Sequence, residues 1–267
     1  LEEDFYFLPP ASLRKLSQEE LDRRFNEERG IWERAEKAME TSPVEEYIRR
    51  YPSGRFAELA QLHLDRLLAR QGEKKIRIAS SSANPFSKGA ASASTDFTVG
   101  DRYSYRVIDL LTRVEGRRYT MNVTEITENE VIYNNGRSST DLLGNFLKLG
   151  KGSRLISPQL MPTEYSVGKK WTTRYREDFP DGRKQWVEYD FKITAREMVT
   201  VPAGTFNCFL LEGKGWVIET GFFLDTKYWM APEQVRRPVV LEHFWRNRWG
   251  QISRSDRDEL VSFKQAR

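Results

Sequence analysis

The sequence predicts an α+β protein in which an N-terminal helical hairpin or bundle precedes an antiparallel β-meander that forms an open or closed barrel. Apolar residues recur at helical spacing up to about residue 71 and alternate with polar residues from about residue 97. Between these halves, residues 79–94 hold six Ser and five Ala, a linker composition. The predicted domains are therefore a helical interaction domain at 1–75, a linker at 76–96 and a β domain at 97–267.

Three helices are predicted in the first half. A capping-box spacing starts one helix at Ser17, and Gly30 is a candidate break within it. Pro43 suits the first turn of a second helix, which ends at Arg50. A Tyr-Pro-Ser-Gly turn then precedes a third amphipathic helix that starts at Phe56. Together these segments predict a small helical bundle.

Alternation of apolar and polar side chains predicts half-buried strands in the second half. Around Tyr105, and again around Phe191, every second residue is apolar. Turn-forming segments separate such runs at 134–136, 180–182, 202–204 and 249–250. Ten or more strands without a long helical crossover favour a barrel built as a meander. An interior filled by side chains and one that holds a small ligand both remain open.

Charge and hydropathy exclude some functions. The 267 residues carry 43 basic and 39 acidic side chains. The first 75 residues carry 14 basic and 16 acidic ones, so the positive charge lies in the β half. No stretch approaches the eighteen or so uninterrupted apolar residues of a transmembrane helix. A modest positive charge spread over many strands does not favour nucleic acid as a partner.

Residues that could carry out catalysis are scarce. The chain has one cysteine, Cys208, and two histidines, His63 and His243. Cys208 and His243 lie in apolar strand-like runs, where a thiol without an electropositive neighbour stays protonated. His63 has no second His or Cys near it in the sequence, which argues against a metal site. No nucleotide, zinc, calcium or serine-hydrolase motif occurs. The sequence therefore predicts no catalytic residue, no metal and no cofactor.

Aromatic and arginine side chains of the β half are the candidate ligand-binding residues. Some of the aromatic rings would line a barrel interior. Others interleave with guanidinium groups in the run from His243 to Trp249, which can contact sugars, anionic head groups or nucleic acid. In the alternative interpretation, these tryptophans pack and the arginines pair with carboxylates. The predicted set, for an apolar or glycan ligand, is Tyr105, Phe191, Arg237, Trp245, Arg248 and Trp249.

Residues 45–60, EEYIRRYPSGRFAELA, resemble a tetratricopeptide-like helical hairpin. Such hairpins occur in outer-membrane assembly lipoproteins and, with an Ile-Trp pair upstream as at 31–32, after the protease domain of bacterial caspase-like proteins. The resemblance implies contact with a protein partner, for example in a larger envelope complex, because a single hairpin cannot cover its own apolar face. The predicted partner-binding residues are Trp32, Tyr47, Tyr51, Phe56 and Leu59.

Residues 201–210, VPAGTFNCFL, and 226–233, TKYWMAPE, resemble a family of exported bacterial proteins of unknown function. That family has a VPAGTF turn and a later YWxAPE strand end, and the match extends loosely over residues 97 to 263. It implies an envelope β domain with no established catalytic residues. The motifs themselves indicate structure, because Pro202 fixes its own φ and Gly204 permits a tight turn.

Three functions remain open on this evidence. The favoured one is a non-catalytic scaffold or accessory subunit of the bacterial envelope, in the periplasm or on the periplasmic face of the outer membrane. The second is a periplasmic carrier of an apolar or glycan ligand. The third is the C-terminal regulatory part of a caspase-like protease. Whether a signal peptide, a lipid anchor or another domain precedes Leu1 also stays open.

Overall fold

The computed structural model describes residues 18–52, 54–70 and 90–265, which form two compact units divided at Lys75. The first unit contains helices and the second contains strands. The predicted α+β fold class is confirmed. No helix within these described ranges is both long and apolar enough to cross a bilayer. Ser17 and residues 76–89 of the predicted linker lie outside the described residues.

The helical unit has three helices. They are α1 at Gln18–Glu36, α2 at Thr41–Arg50 and α3 at Ala57–Arg70. Helix α1 passes through Gly30 without a break, so the predicted break is wrong. A single glycine costs a helix about 1 kcal/mol relative to alanine. Phe25 and Trp32, which flank Gly30 and are both buried, offset that cost by packing.

The second unit is built from short and long strands. Among the described residues they are β1 (Ala91–Ser92), β2 (Arg102–Asp109), β3 (Glu115–Ile126), β4 (Val131–Tyr133), β5 (Ser138–Thr140), β6 (Phe146–Lys148), β7 (Arg154–Ile156), β8 (Glu164–Tyr165), β9 (Lys170–Asp178), β10 (Lys184–Val201), β11 (Gly204–Val217), β12 (Phe222–Met230), β13 (Val240–Arg246) and β14 (Ile252–Lys264). Strand β1 lies within the segment predicted as linker.

The strands form a closed antiparallel barrel. Strands β1 and β8 pair with each other, and the other twelve follow chain order around the barrel. Pairing of β14 with β2 and of β7 with β9 closes the ring. Because eight strands give an interior that side chains just fill, a ring of twelve leaves a wider one.

Side-chain alternation defines the inside of the barrel. Tyr103, Tyr105 and Val107 of β2 are buried, and so are the alternating residues of β10 from Val187 to Ile193. Charged residues occupy many of the intervening positions, which places them on the outer face. The alternation predicted from the sequence therefore identifies the inward-facing residues of these two strands.

Candidate ligand-binding site

The aromatic residues assigned to partner binding in the helical unit pack against one another. Trp32, Tyr47 and Phe56 are each at most 5% exposed. The Trp32 ring stacks on Phe56 with centroids 6.2 Å apart and lies 5.4 Å from the Tyr47 ring. A ring buried in this way offers no face to a partner, so the assignment of these three residues is corrected to the core of the unit. Tyr51 and Leu59 are half-buried, and their partner-binding role stays a prediction.

A pair of stacked tyrosines lies inside the barrel on β2 and β3. The rings of Tyr105 and Tyr119 are 5.2 Å apart and nearly parallel. The Tyr105 hydroxyl donates to the Pro238 carbonyl at 2.8 Å, and the Tyr119 hydroxyl donates to Asp258 Oδ2 at 2.6 Å. The other oxygen of Asp258 is buried without a hydrogen-bond partner in the described structure. This oxygen can accept a further hydrogen bond from a bound molecule.

Arg237 is a buried cation at the same end of the interior. Its residue is 5% exposed, and Nη1 donates to the Gly144 carbonyl at 3.0 Å. The guanidinium lies 5.7 Å from the Tyr133 ring centroid and 5.0 Å from that of Phe146. Within the described residues no carboxylate lies within ion-pair distance of Arg237, and its Nε has no partner. A guanidinium in this position can bind an anion.

Two buried hydroxyl groups lie near the arginine. The side-chain oxygens of Tyr133 and Thr140 are close enough to interact with each other, and neither has another hydrogen-bond partner in the described structure. Burial raises the pKa of Tyr133 and holds the pKa of Asp258 above its usual range. The Tyr133 phenol is therefore neutral at pH 7 and can donate or accept a hydrogen bond.

A second polar group lies further along the interior, around Thr226. The Thr226 hydroxyl is 3.2 Å from the Tyr189 hydroxyl and 3.2 Å from His243 Nδ1. Trp245 Nε1 donates to the same Thr226 oxygen at 3.4 Å, and the Arg254 guanidinium lies 4.7 Å over the Trp245 ring. Burial, and then the charge of Arg254, hold the pKa of His243 well below its usual value. The imidazole is therefore neutral at pH 7.

Phe191 occupies the interior next to these groups. Its ring lies 5.3 Å from Trp171 and 5.2 Å from Tyr189. A Cβ atom on Gly213, in the neighbouring strand β11, would overlap the Phe191 ring. The ring therefore lies flat against the glycine backbone, and Phe191 forms part of the interior wall, as the sequence predicts.

The structure divides the predicted ligand-binding set in two. Tyr105, Phe191 and Arg237 lie in the barrel interior, and Trp245 is half-buried there. Arg248 and Trp249 lie instead in the β13–β14 turn, where the guanidinium stacks 4.2 Å over an indole that is 71% exposed. These two residues are therefore corrected to a separate outer surface, because the hairpin carries them beyond the end of the barrel.

The sequence prediction did not include Asp258 or Thr226 as ligand-binding residues. Asp258 lies in the run Asp-Arg-Asp-Glu, in which every residue is charged. The alternation of apolar and polar residues that marks the inner face of other strands is therefore missing here. Only the pairing of β14 with β2 places Asp258 opposite Val107, on the inward face. No local signal in this run identifies the buried carboxylate.

Cys208 and His243 do not form a catalytic pair. His243 pairs across the sheet with Thr226, which pairs with Gly213, and Cys208 lies five residues from Gly213 along β11. Five strand residues span about 16 Å. Burial raises the pKa of the Cys208 thiol to about 12, so the thiol is protonated at neutral pH. In the described residues no group of three or more His, Cys, Asp or Glu could hold a metal.

The two sequence motifs of the β domain meet at a groove of about 700 Å³. One wall is formed by residues 203–206 of the VPAGTF turn and another by residues 232–234 and Arg236. The Ala203 backbone N–H donates to the Leu260 carbonyl. The Leu260 N–H donates to the Val239 carbonyl, and the Val239 N–H donates in turn to the carbonyl of Trp229 in the second motif. These bonds tie both motifs to β14, which gives each motif a structural role.

Comparison with known proteins identifies no family. No family model and no curated protein matches the chain. Three solved structures are similar at 13% identity: a Bacteroides fragilis protein described as exported with a YmcC-like fold, a Parabacteroides distasonis protein described as a lipoprotein, and the hypothetical lipoprotein YmcC of Escherichia coli. Their TM-scores are 0.39, 0.40 and 0.39. The alignments cover 66%, 63% and 62% of this chain, and 100%, 96% and 85% of those chains.

Proposed function

We propose that the chain is a non-catalytic binding protein of the bacterial cell envelope whose barrel holds an acidic saccharide, with the anionic group of the ligand at Arg237. The observation that carries this proposal is the buried guanidinium without a carboxylate partner among the described residues. Burial of an unpaired charge costs several kcal/mol. A carboxylate or phosphate of a ligand offsets this cost through short, charge-assisted hydrogen bonds.

The surrounding groups favour a ligand with many hydroxyls over an aliphatic one. Asp258 Oδ1 is buried without a hydrogen-bond partner in the described structure, and the buried hydroxyls of Tyr133 and Thr140 have only each other. An alkyl chain would leave the Asp258 oxygen unpaired, at a cost of about 1–3 kcal/mol. Saccharide hydroxyls can pair with this oxygen and with both hydroxyls. The rings of Tyr105 and Trp245 add apolar surface, as is usual in small-molecule sites.

The proposal assigns the site a binding role without chemical conversion. The thiol of Cys208 is protonated, and the neutral His243 lies far from it along the sheet. His243 shares its hydrogen bond with Thr226, whose hydroxyl also contacts Tyr189. These groups position one another and leave no nucleophile with an adjacent base.

Isothermal titration calorimetry tests the proposal on the full chain. The probe is tri-galacturonate, with neutral maltotriose and the fatty-acid anion decanoate as comparison probes. Tri-galacturonate is expected to bind, and Arg237→Met should weaken it at least 30-fold, because truncation of one partner of a buried charge pair costs about 2–5 kcal/mol. Arg237→Lys should restore part of the affinity. The matched control Arg248→Met, which removes an exposed arginine, should bind like the unmodified protein.

Three results would contradict the proposal. Binding of decanoate alone indicates an apolar carrier instead. Equal binding of tri-galacturonate by the Arg237→Met variant, with an unchanged melting temperature, shows that the guanidinium does not hold the anion. If no probe binds and native mass spectrometry of protein isolated from bacterial periplasm shows no added mass, the interior is a filled core.

The envelope location rests on the resemblance of residues 201–210 and 226–233 to an exported family. Fractionation of the native host, followed by immunoblotting, checks this part separately. The protein is expected in the periplasmic or outer-membrane fraction, and a cytoplasmic location would refute it.

A further inference from the structure

One end of the barrel is formed by four turns that lie side by side. Strands β9–β14, β2 and β3 are consecutive neighbours and antiparallel, so every second connection lies at the same end. These connections are residues 110–114, 179–183, 218–221 and 247–251, which we name the rim. Backbone bonds hold two of these turns to neighbouring strands, since Leu110 N–H donates to the Ser255 carbonyl of β14 and Ile218 N–H to the Trp186 carbonyl of β10.

The rim carries exposed apolar side chains. Leu111 and Val114 in the β2–β3 turn are 60% and 62% exposed, and Trp249 in the β13–β14 turn is 71% exposed. Ile252 and Trp216 lie next to rim turns and are also exposed. These are five of the nine exposed large apolar residues of the described chain. A group of exposed apolar side chains that come from separate hairpins and lie at one end of a barrel is typical of an interaction surface.

Arginines accompany these apolar side chains. Arg113, Arg117, Arg246 and Arg248 are exposed, and within the described residues none of the four has a carboxylate within ion-pair distance. The Arg246 guanidinium lies 5.1 Å over the Phe223 ring, so cation and aromatic surface occur together on the outer wall below the rim.

The acidic groups of the rim are engaged by their own turns. Asp181 pairs with Arg183 at 2.8 Å and Glu115 with Arg118 at 2.6 Å. Asp109 accepts the backbone N–H groups of residues 111 and 112. Glu219 in the β11–β12 turn is exposed and accepts the Trp186 backbone N–H at 2.8 Å. The rim turns hold three arginines, Arg113, Arg183 and Arg248, and two carboxylates, Asp181 and Glu219, so the net charge of these turns is positive.

We propose that the rim docks on an anionic lipid bilayer. Trp249 would lie at the level of the head groups, and Leu111 and Val114 would enter the acyl boundary. The four arginines would contact lipid phosphates. Charge complementarity favours an anionic surface. The exposed side chains of Leu111 and Val114 favour a bilayer over a nucleic acid, because apolar side chains gain nothing from contact with phosphates but can enter the acyl region of a bilayer. Apart from Arg117, which pairs with Val107 and whose charge acts on Asp258, this inference rests on residues separate from the interior site.

Vesicle flotation with the full chain tests the proposal. The probes are vesicles of phosphatidylcholine alone and of phosphatidylcholine with 30% phosphatidylglycerol, each in 50 and 500 mM NaCl. Binding is expected only to the anionic vesicles and should fall in high salt. Trp249→Ala should lower the partition coefficient at least tenfold. Arg113→Gln with Arg248→Gln should lower it about 25-fold, because each basic residue near the surface contributes about fivefold.

Matched controls come from the opposite end of the barrel. Met198, 66% exposed near the β10–β11 turn, is replaced by Ser, and Lys264, exposed at the end of β14, is replaced by Gln. Both variants should bind vesicles like the unmodified protein. Brominated acyl chains should also quench tryptophan fluorescence, and Trp249→Phe should remove most of that quenching.

Three outcomes of the vesicle assay would overturn the inference. They are equal binding to neutral and anionic vesicles, equal loss of binding in the Met198→Ser control, and unchanged binding in Trp249→Ala. If a 30-nucleotide single-stranded DNA binds while the vesicles do not, the arginines serve nucleic acid and the bilayer proposal is wrong. Circular dichroism of each variant shows that the barrel is folded.

Discussion

Removal of one oxygen atom from Tyr47 should loosen the helical unit. The Tyr47 hydroxyl donates to Glu28 Oε1 at 2.8 Å and accepts the backbone N–H of Phe56 at 3.1 Å. The same carboxylate oxygen accepts the N–H of Arg55 at 2.6 Å. One hydroxyl therefore connects α1, α2 and the start of α3.

The expected cost follows from these two bonds. Tyr47→Phe leaves the buried N–H of Phe56 without its partner, which costs about 1–3 kcal/mol. It also removes a hydrogen bond to a carboxylate, worth about 1.5–3 kcal/mol. Phenylalanine has a lower desolvation cost than tyrosine, so part of this loss is regained. We expect a net destabilisation of the helical unit of about 2–4 kcal/mol.

Hydrogen–deuterium exchange of the full chain measures this effect within each unit separately. The peptide that covers residues 45–60 should exchange at least 30-fold faster in Tyr47→Phe, while β10 and β11 stay unchanged. Tyr51→Phe is the matched control. Its ring lies 5.4 Å from Tyr47, and its hydroxyl makes no hydrogen bond in the described structure. Equal exchange in the two variants would refute the structural role of the Tyr47 hydroxyl.

Three further predictions concern the barrel. Burial raises the pKa of Asp141 to about 6. Between pH 4 and 6 the folded form therefore keeps a proton that the unfolded form has released. The free energy of unfolding should fall by about 3 kcal/mol as the pH rises through this window. Urea unfolding at pH 4, 5 and 6 checks this, since Asp141→Asn should remove that slope. Gly213→Ala should destabilise the barrel by about 1–3 kcal/mol by overlap with Phe191, whereas Gly116→Ala, with open space around its Cβ, should not; thermal melts compare the two. Iodoacetamide at pH 8 should leave Cys208 unmodified in the folded protein and should alkylate it in urea, as measured by mass spectrometry. Rapid alkylation of the folded protein would contradict the burial of the thiol.

The predicted helices and strands agree with the structure where local rules apply. A proline at the first turn of α2 and a Tyr-Pro-Ser-Gly turn act within a few residues, so both were recognisable. The same holds for the turn at Asn134 and Asn135, whose φ angles are 51° and 56°. Gly30 shows the limit of such rules, because packing on both sides of it outweighs its low helix propensity.

The roles of individual residues were less predictable. Aromatic side chains such as Trp32 and Phe56 suit a partner surface and a core equally well in sequence, and only the packing of α1 against the other helices shows that they are buried. Likewise, Arg237 and Trp249 belong to one region of the sequence that is rich in arginine and aromatic residues, so the sequence predicts the same ligand-binding role for both. The fold directs one into the barrel and leaves the other on an exposed turn.

The sequence alone determined the α+β class, the alternation that points Tyr105 and Phe191 inward, and the scarcity of reactive side chains. These properties depend on residue type and on spacing along a single strand or helix. Closure of the ring by β14 and β2, and the meeting of Tyr119 with Asp258, were decided only by tertiary structure. Residues 139 positions apart in the chain come together through strand pairing, and no local pattern encodes that distance.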